Sequence, residues 1–221
     1  MARPSPRGVQ SIRDFGLTAG EYVSQRAWES ASLEICPYAA EGGCQLRWDS
    51  GGGCCGLHRH GSYERGGVGI ARFLCTCVGR TISLLPDWIA VRVGGTLQAI
   101  EDAADRVEGR TGSIEQLADE MRPMGENPDK VRVGGMTKWL RRRCSWVTAA
   151  LLVAQALLPE RVAGCRPTLI AFRAALGTEH VLKTLREALA ARLGDVPAPL
   201  GLKAGPSPRK KGPQRTGLDP P

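Results

Sequence analysis

Residues 57–86 read LHRHGSYERGGVGIARFLCTCVGRTISLLP, and this stretch decides the amino-terminal fold. Apolar side chains such as Tyr63 and Ile70 lie on either side of the Gly66-Gly67 pair. Two adjacent glycines between such segments are typical of the tight turn of a β-hairpin. We therefore predict a hairpin here, and we expect it to have few other apolar residues to bury.

The cysteines around this hairpin predict a metal site. The chain has 8 cysteines, and most of them lie in residues 36–77. A structural zinc ion needs four ligands in a tetrahedron, and two turns that each present two thiolates can supply them. The predicted ligands of one zinc ion are Cys36, Cys44, Cys75 and Cys77.

The cysteine spacing leaves alternatives open. The first pair is wider, and the second pair closer, than the separation that is usual in zinc sites. A nearby thiol or imidazole can therefore replace Cys44 or Cys77 as a ligand, and the cysteines can also be buried groups that bind no metal. The four candidate replacements are Cys54, Cys55, His58 and His60.

Several motifs in this region resemble a known family. They are Cys36-Pro37, His60-Gly61-Ser62-Tyr63-Glu64-Arg65, Arg72-Phe73-Leu74-Cys75 and Gly79-Arg80-Thr81-Ile82-Ser83-Leu84-Leu85-Pro86. These motifs look like the amino-terminal zinc ribbon of insertion-sequence transposases and of related bacterial proteins that carry that domain alone. In that family two cysteine turns bind zinc, and a helix-turn-helix that follows binds transposon-end DNA. The resemblance covers residues 35–145 and implies a zinc cofactor, a DNA partner and a separate transposase catalytic subunit.

Beyond residue 95 the apolar residues recur with the period of a helix. Thr96 and Ser113 are typical N-cap residues, so they predict helices over residues 97–108 and 114–121. A long helix is predicted over residues 137–158, and two more helices follow it. The fold class is therefore predicted to be α+β, with a small zinc-ribbon hairpin domain followed by an all-helical domain.

The composition also predicts the domain boundaries. A polar lead-in occupies residues 1–34, and it can contain a short helix around Glu21 to Ser30 whose apolar side chains dock on the core. The zinc-ribbon-like domain occupies residues 35–90. The helical domain occupies residues 95–195, with a possible helix-turn-helix at residues 113–145. Residues 196–221 are rich in Pro, Gly and basic side chains and are predicted to form a disordered tail.

Positive charge is concentrated in the carboxyl-terminal part. Residues 1–130 contain 14 Lys and Arg against 17 Asp and Glu, a net charge of −3, whereas residues 131–221 contain 16 against 5, a net charge of +11. A basic domain favours an anionic partner, most commonly nucleic acid. The predicted DNA-binding residues are Thr137, Lys138, Arg141 and Arg142.

The same residues also have structural interpretations that involve no DNA. A row of arginines is often a solvated helix face, and Trp139 and Trp146 are typical of helix packing. The connection between the two predicted DNA-contacting helices also has about fifteen residues, where a helix-turn-helix usually has three or four.

The sequence argues against several other classes. The first thirty residues contain no signal-peptide core, and the apolar stretch 147–158 is too short to span a bilayer, so we expect a cytoplasmic protein without a membrane partner. The acidic residues after position 96 fall on predicted helix surfaces, and they do not suggest a nuclease core. We predict a protein that is not an enzyme and binds DNA with the help of zinc. The alternative is a zinc-stabilised scaffold that binds no nucleic acid.

Overall fold

The computed structural model describes residues 9–40, 56–121 and 133–203 of the chain. In these ranges the fold is α+β, as predicted, with a four-stranded sheet followed by a set of helices. The strands are β1 (Val9–Arg13), β2 (Leu57–Arg65), β3 (Val68–Cys75) and β4 (Arg80–Pro86). The helices are α1 (Ala19–Ser24), α2 (Ala27–Ser30), α3 (Pro37–Ala40), α4 (Leu97–Glu108), α5 (Ile114–Glu120), α6 (Val133–Leu157), α7 (Pro159–Val162), α8 (Leu169–Leu176) and α9 (Val181–Ala188), and a 3-10 turn spans Ala190–Arg192.

The sheet has the strand order β1-β4-β3-β2. Strands β2 and β3 form the predicted hairpin, which turns at Gly66 and Gly67 with φ of 59° and 78°. Two successive positive φ values are what a type I′ hairpin turn requires, and glycine adopts them without strain. The hairpin prediction is therefore confirmed. The sheet is larger than predicted, because β4 pairs antiparallel with β3 and β1 pairs parallel with β4.

The amino-terminal segment is part of this sheet and its core. Val9 pairs with Ile82 where β1 lies beside β4. The side chain of Tyr22 is 0% exposed, and its hydroxyl donates a hydrogen bond to Gly69 O at 3.1 Å. Helices α1 and α2 lie where the short helix of the lead-in was predicted, and Tyr22 packs in the core as expected. Strand β1 was not predicted, so the described part of residues 1–34 is more than a polar lead-in.

The predicted helix starts are confirmed by their caps. The Thr96 side chain accepts a hydrogen bond from Ala99 N at 3.0 Å, and α4 follows it. Ser113 and Gln116 form a reciprocal capping box at the start of α5. The long helix α6 begins four residues before the predicted start at Thr137. Among the described residues, no helix combines the length and apolarity that crossing a bilayer would need.

The helices bury a shared core between α4, α6, α8 and α9. Its members are mainly aliphatic side chains that recur on the inner face of each helix. They include Leu97, Ile100, Val147, Leu151, Ala154, Phe172, Val181, Leu182 and Leu185. The core residues of α6 form a buried stripe along one side of the helix, so its opposite side faces solvent.

The described residues that follow α9 also pack against the helices. Val196 and Leu200 are 0% exposed, and Lys203 N donates a hydrogen bond to Val196 O at 2.9 Å. This packing corrects the predicted start of the disordered tail at residue 196. Residues 204–221 lie outside the described part of the chain.

A buried carboxyl between α4 and α9 makes stability depend on pH. Glu101 is 1% exposed and accepts a hydrogen bond from Leu182 N. Burial raises the pKa of Glu101 to about 7 from its ordinary value of 4.5. The folded state therefore holds the proton more tightly than the unfolded state does. Glu101 stabilises the fold below pH 4.5, and this contribution falls by about 3 kcal/mol as the pH rises to 7.

The substitution Glu101→Gln is expected to abolish this pH dependence, because the amide stays neutral while its oxygen can still accept from Leu182. Urea unfolding between pH 4.5 and 8 should show the variant gaining stability over the natural protein as the pH rises. The exposed residue Glu187 gives the matched control Glu187→Gln. A constant difference between Glu101→Gln and the natural protein across this range would contradict the prediction.

Candidate nucleic-acid interface

The basic residues of α6 lie on the side of the helix away from its buried stripe. Leu140 and Val147 are buried, whereas Lys138 and Arg142 are exposed. A helix places residues three and four apart on the same side, so this separation follows from the sequence period. The exposed side of α6 is therefore the natural place to look for a binding surface.

A concave site lies between this side of α6 and the loop before α4. It has a volume of about 300 Å³. Four basic side chains and two tryptophans line it, together with backbone from both segments. The lining residues are Arg92, Val93, Gly94, Gly135, Lys138, Trp139, Arg142, Arg143 and Trp146. We call this site the basic cavity.

Two arginines of the basic cavity lie over the rings of its tryptophans. Arg143 Cζ lies 3.4 Å from the centre of the Trp139 ring, and Arg142 Cζ lies 5.4 Å from that of Trp146. The guanidinium of Arg143 also donates a hydrogen bond to Gly94 O at 3.4 Å. Contact with an aromatic face favours a cation and holds a planar guanidinium parallel to the ring. These contacts restrict both arginines to the cavity wall.

Arg143 stays charged in this setting. Burial lowers its pKa to about 10, because a partly desolvated guanidinium loses hydration. At neutral pH the side chain still carries its full positive charge. A cation that has already given up part of its hydration loses less when an anion replaces the remaining water.

Arg92 reaches the basic cavity from outside the helices. Its backbone has a φ of 59°, and its N–H donates to Gln10 Oε1 at 3.0 Å. Its guanidinium donates to Leu202 O at 3.1 Å. A residue from β1 and one from the segment after α9 therefore fix the position of this arginine.

Among the residues that the structure describes, no acidic side chain lines the basic cavity. In the described part of the chain, none of its four cations forms a salt bridge within 4.0 Å. Four converging positive charges repel one another, and an anion in the cavity would relieve that repulsion. The site is thus chemically suited to a phosphate or carboxylate.

A larger cavity near the end of α4 has a different character. Its volume is about 630 Å³, and it is lined by Arg106 and Arg110 but also by Glu120. The acidic side chain offsets part of the charge, and none of its described lining residues is aromatic. The smaller basic cavity is therefore the better candidate for an anionic ligand.

The structure places the four predicted DNA-binding residues in three different environments. Lys138 and Arg142 both line the basic cavity. Arg141 lies elsewhere, because its guanidinium pairs with Glu115 of α5 at 2.7 Å. Thr137 is only 7% exposed, so its side chain does not belong to the exposed side of α6.

Arg92 and Arg143 were not among the predicted DNA-binding residues, and the two tryptophans were predicted only as packing residues. A signal for the residues on α6 was present, since positions 139, 142, 143 and 146 follow helical spacing and place two basic residues between two tryptophans. Trp139 and Trp146 also pack against the helical core clusters, as the core interpretation expected. No local pattern marks Arg92, which lies in a loop.

The predicted zinc ligands fall partly outside the described residues. Cys36 and Cys75 are both 0% exposed and belong to one core cluster. Cys77 is exposed and lies in the turn between β3 and β4. Cys44 lies outside the described ranges, so the geometry of the complete predicted set is not described.

The alternative ligands can be located only in part. His58 and His60 lie on β2, which is an edge strand, and both are exposed. Cys54 and Cys55 fall outside the described ranges. Within residues 9–40, 56–121 and 133–203, no three His, Cys, Asp or Glu side chains come together as a metal site.

Gly56 provides the structural link between two of the cysteine segments. Its carbonyl accepts a hydrogen bond from Thr76 N at 2.6 Å. A Cβ added at Gly56 would lie 2.8 Å from Cys77 Sγ, so the thiol lies directly against the backbone of this glycine. A side chain at position 56 would displace the cysteine turn.

Comparisons with protein-family models, with curated proteins and with solved structures found no match to this chain. A function must therefore be inferred from the chemistry of the basic cavity and of the cysteines.

Proposed function

We propose that the protein binds DNA through the basic cavity and the adjoining exposed side of α6. The observation that carries this proposal is the convergence of four basic side chains on a site where no described residue is acidic. They are Arg92, Lys138, Arg142 and Arg143. Guanidinium and ammonium groups are the usual protein partners of the DNA backbone. The remaining positive charge of residues 131–221 would attract the same polyanion over longer range.

The relation of α5 to α6 supports a recognition unit of two packed helices. Leu117 and Ala118 of α5 share a buried cluster with Leu140 of α6. The ion pair between Arg141 and Glu115 joins the exposed edges of the same helices. We propose that this pair serves as the helix-turn-helix-like part, with α6 facing DNA.

We further propose that zinc stabilises the amino-terminal sheet. Cys36 and Cys75 lie in the same cluster, and Cys77 contacts Gly56, which Cys54 and Cys55 immediately precede in the sequence. This contact favours Cys54 or Cys55 over Cys44 as a ligand. Zinc bound by thiolates would have a structural role, holding distant turns together.

On this proposal the protein is not an enzyme. It would act as the DNA-recognition part of a transposase-like system, with catalysis supplied by a separate subunit. The motif resemblance described above supports this interpretation, which stays a prediction. The competing function is a zinc-stabilised scaffold that binds no nucleic acid.

Salt dependence tests the DNA proposal. Fluorescence anisotropy with a labelled blunt duplex, titrated between about 50 and 300 mM KCl, should give a steep decrease in affinity as salt rises. The double variant Lys138→Ala/Arg142→Ala should weaken binding and reduce the log–log slope by about 1.8, since each lost phosphate contact removes about 0.9.

A charge-matched control separates a site from general basicity. Arg161 and Arg166 are exposed and lie near α7, away from the basic cavity, and their double alanine variant removes the same charge. We expect its affinity and slope to stay close to those of the natural protein. Equal losses in both double variants would contradict a specific site, and no salt-dependent binding at all would favour the scaffold function.

A further inference from the structure

The basic cavity is concave, which is unusual for a surface that reads only duplex DNA. Helices that recognise a duplex insert a convex face into the major groove or touch the backbone from outside. A cavity of about 300 Å³ is instead at the lower end of the range of small-molecule sites. It therefore has the shape of a site for one small unit of a ligand.

The wall of the basic cavity offers a flat stacking platform. Arg143 Cζ lies over the Trp139 ring, 3.4 Å from its centre. Unpaired bases stack on aromatic side chains and on arginine planes, because both present a flat polarisable face. The indole lies on one side of the guanidinium, and a base would stack on the other side.

The remaining cations are arranged around this platform. Arg92 comes from the loop before α4, and Lys138 and Arg142 come from α6. Their positive charges can hold the phosphate groups that flank a stacked base. The combination of a stacking plane with surrounding cations is typical of single-stranded nucleic-acid sites.

Two of the residues that line the basic cavity are glycines with free space beside them. A Cβ added at Gly94 or at Gly135 would meet no atom within 4 Å, other than those of its chain neighbours. Gly135 lies inside helix α6, where glycine costs stability relative to other residues. A larger side chain at position 135 could therefore fill space in the cavity without a backbone clash and without changing its charge.

We propose that the basic cavity takes up an unpaired nucleotide of a DNA strand, with its base stacked on Arg143 and its phosphates held by Arg92, Lys138 and Arg142. This inference rests on the proposed DNA-binding function and specifies which DNA structure the site selects. The protein would prefer a duplex with unpaired bases at an end or a gap over a blunt duplex.

Three labelled DNAs test this proposal with the full-length protein at constant salt. They are a blunt duplex, the same duplex with a three-nucleotide overhang, and that overhang with abasic residues in place of the bases. We expect the overhang to bind about tenfold more tightly than the blunt duplex. The abasic overhang should lose most of this gain, since it keeps the phosphates and lacks the bases.

Gly135→Leu provides the matching protein variant, with Ala149→Leu at an exposed position of the same helix as its control. Gly135→Leu should bind the overhang no more tightly than the blunt duplex, because the leucine occupies the space that an unpaired base would need. Ala149→Leu should keep the preference. Equal affinity of the natural protein for blunt and overhang DNA, or equal affinity for normal and abasic overhangs, would overturn the proposal while leaving the DNA-binding function intact. Absence of binding to all three DNAs would overturn both.

Discussion

Removal of the proposed zinc ion is expected to unfold the amino-terminal sheet of this protein. Thiolate coordination contributes on the order of 10 kcal/mol in small zinc domains, which exceeds what a small core supplies. The cluster that contains Cys36 and Cys75 has only a few other fully buried side chains, among them Phe73, Ile82 and Leu84. Without the metal, this cluster would have to bury two thiols and keep the cysteine turn in place by itself.

The experiment combines metal analysis with spectroscopy on the full-length chain. We expect one zinc per chain, a loss of β-type circular dichroism on exhaustive chelation, and recovery on adding zinc. The fluorescence of Trp28 and Trp88, which pack beside the sheet, should change in parallel. Native mass spectrometry showing the bare polypeptide mass together with an intact sheet would contradict the prediction.

Serine variants identify the ligands. Cys77→Ser is the most informative, because Cys77 is exposed and its replacement leaves no buried cavity. It should reduce zinc affinity by at least tenfold, as expected when a thiolate ligand is lost. Cys144→Ser and Cys165→Ser serve as controls, since both residues lie in the helical part. Comparing Cys44→Ser with Cys54→Ser and Cys55→Ser then decides which of these completes the site.

The elements that were predicted correctly are those that depend on residues close together in the sequence. Thr96 and Ser113 cap α4 and α5, as predicted, because an N-cap bond forms between residues only three apart. The Gly66-Gly67 turn likewise requires nothing beyond its own two residues. Strand β1 gave no such signal. Its five residues become a strand only because β4, about seventy positions later, offers its edge.

The same distinction between contacts close in sequence and contacts distant in sequence explains which residues of the candidate site were predicted. Lys138 and Arg142 are identifiable from helical spacing, since the buried stripe of α6 fixes which side faces solvent. Arg92 depends on contacts with Gln10 and Leu202, which are distant in sequence. Thr137 illustrates the opposite error, because its polar side chain suggested exposure while the start of α6 at Val133 places it in a packed part of the helix.

The segment after α9 was predicted to be disordered because its composition is rich in proline and glycine. The composition of this segment does not reveal that a buried arginine elsewhere in the chain donates hydrogen bonds to its carbonyl groups. Arg186 is 3% exposed, and its guanidinium donates to Leu200 O at 2.9 Å and Pro199 O at 2.6 Å. It also donates to the carbonyls of Asp87 and Ile89, which follow β4. One side chain therefore joins α9, the loop after the sheet and the carboxyl-terminal part of the described chain.

Arg186→Met is accordingly expected to lower the free energy of unfolding by about 4 kcal/mol. Burial lowers the pKa of Arg186 to about 10, so the guanidinium is charged at neutral pH and forms charge-assisted hydrogen bonds. Methionine fills much of the same volume and donates no hydrogen bond. Four carbonyl groups then lose this donor, and in the described part of the chain only Pro199 O keeps another hydrogen bond, from Val91 N. A buried acceptor left unsatisfied costs about 1–3 kcal/mol, and removing a desolvated cation offsets part of the sum. Denaturant unfolding followed by circular dichroism measures the change.

The matched control is Arg192→Met, at an arginine that is exposed and pairs with Asp195 three residues later. Exposed pairs contribute at most about 1 kcal/mol, so this variant should be nearly as stable as the natural protein. Limited proteolysis gives a second measurement, because loss of the Arg186 hydrogen bonds should expose residues 196–203 to cleavage before the rest of the chain unfolds. A loss below about 1 kcal/mol with unchanged protection of this segment would show that apolar packing of Val196 and Leu200 holds it in place without the guanidinium.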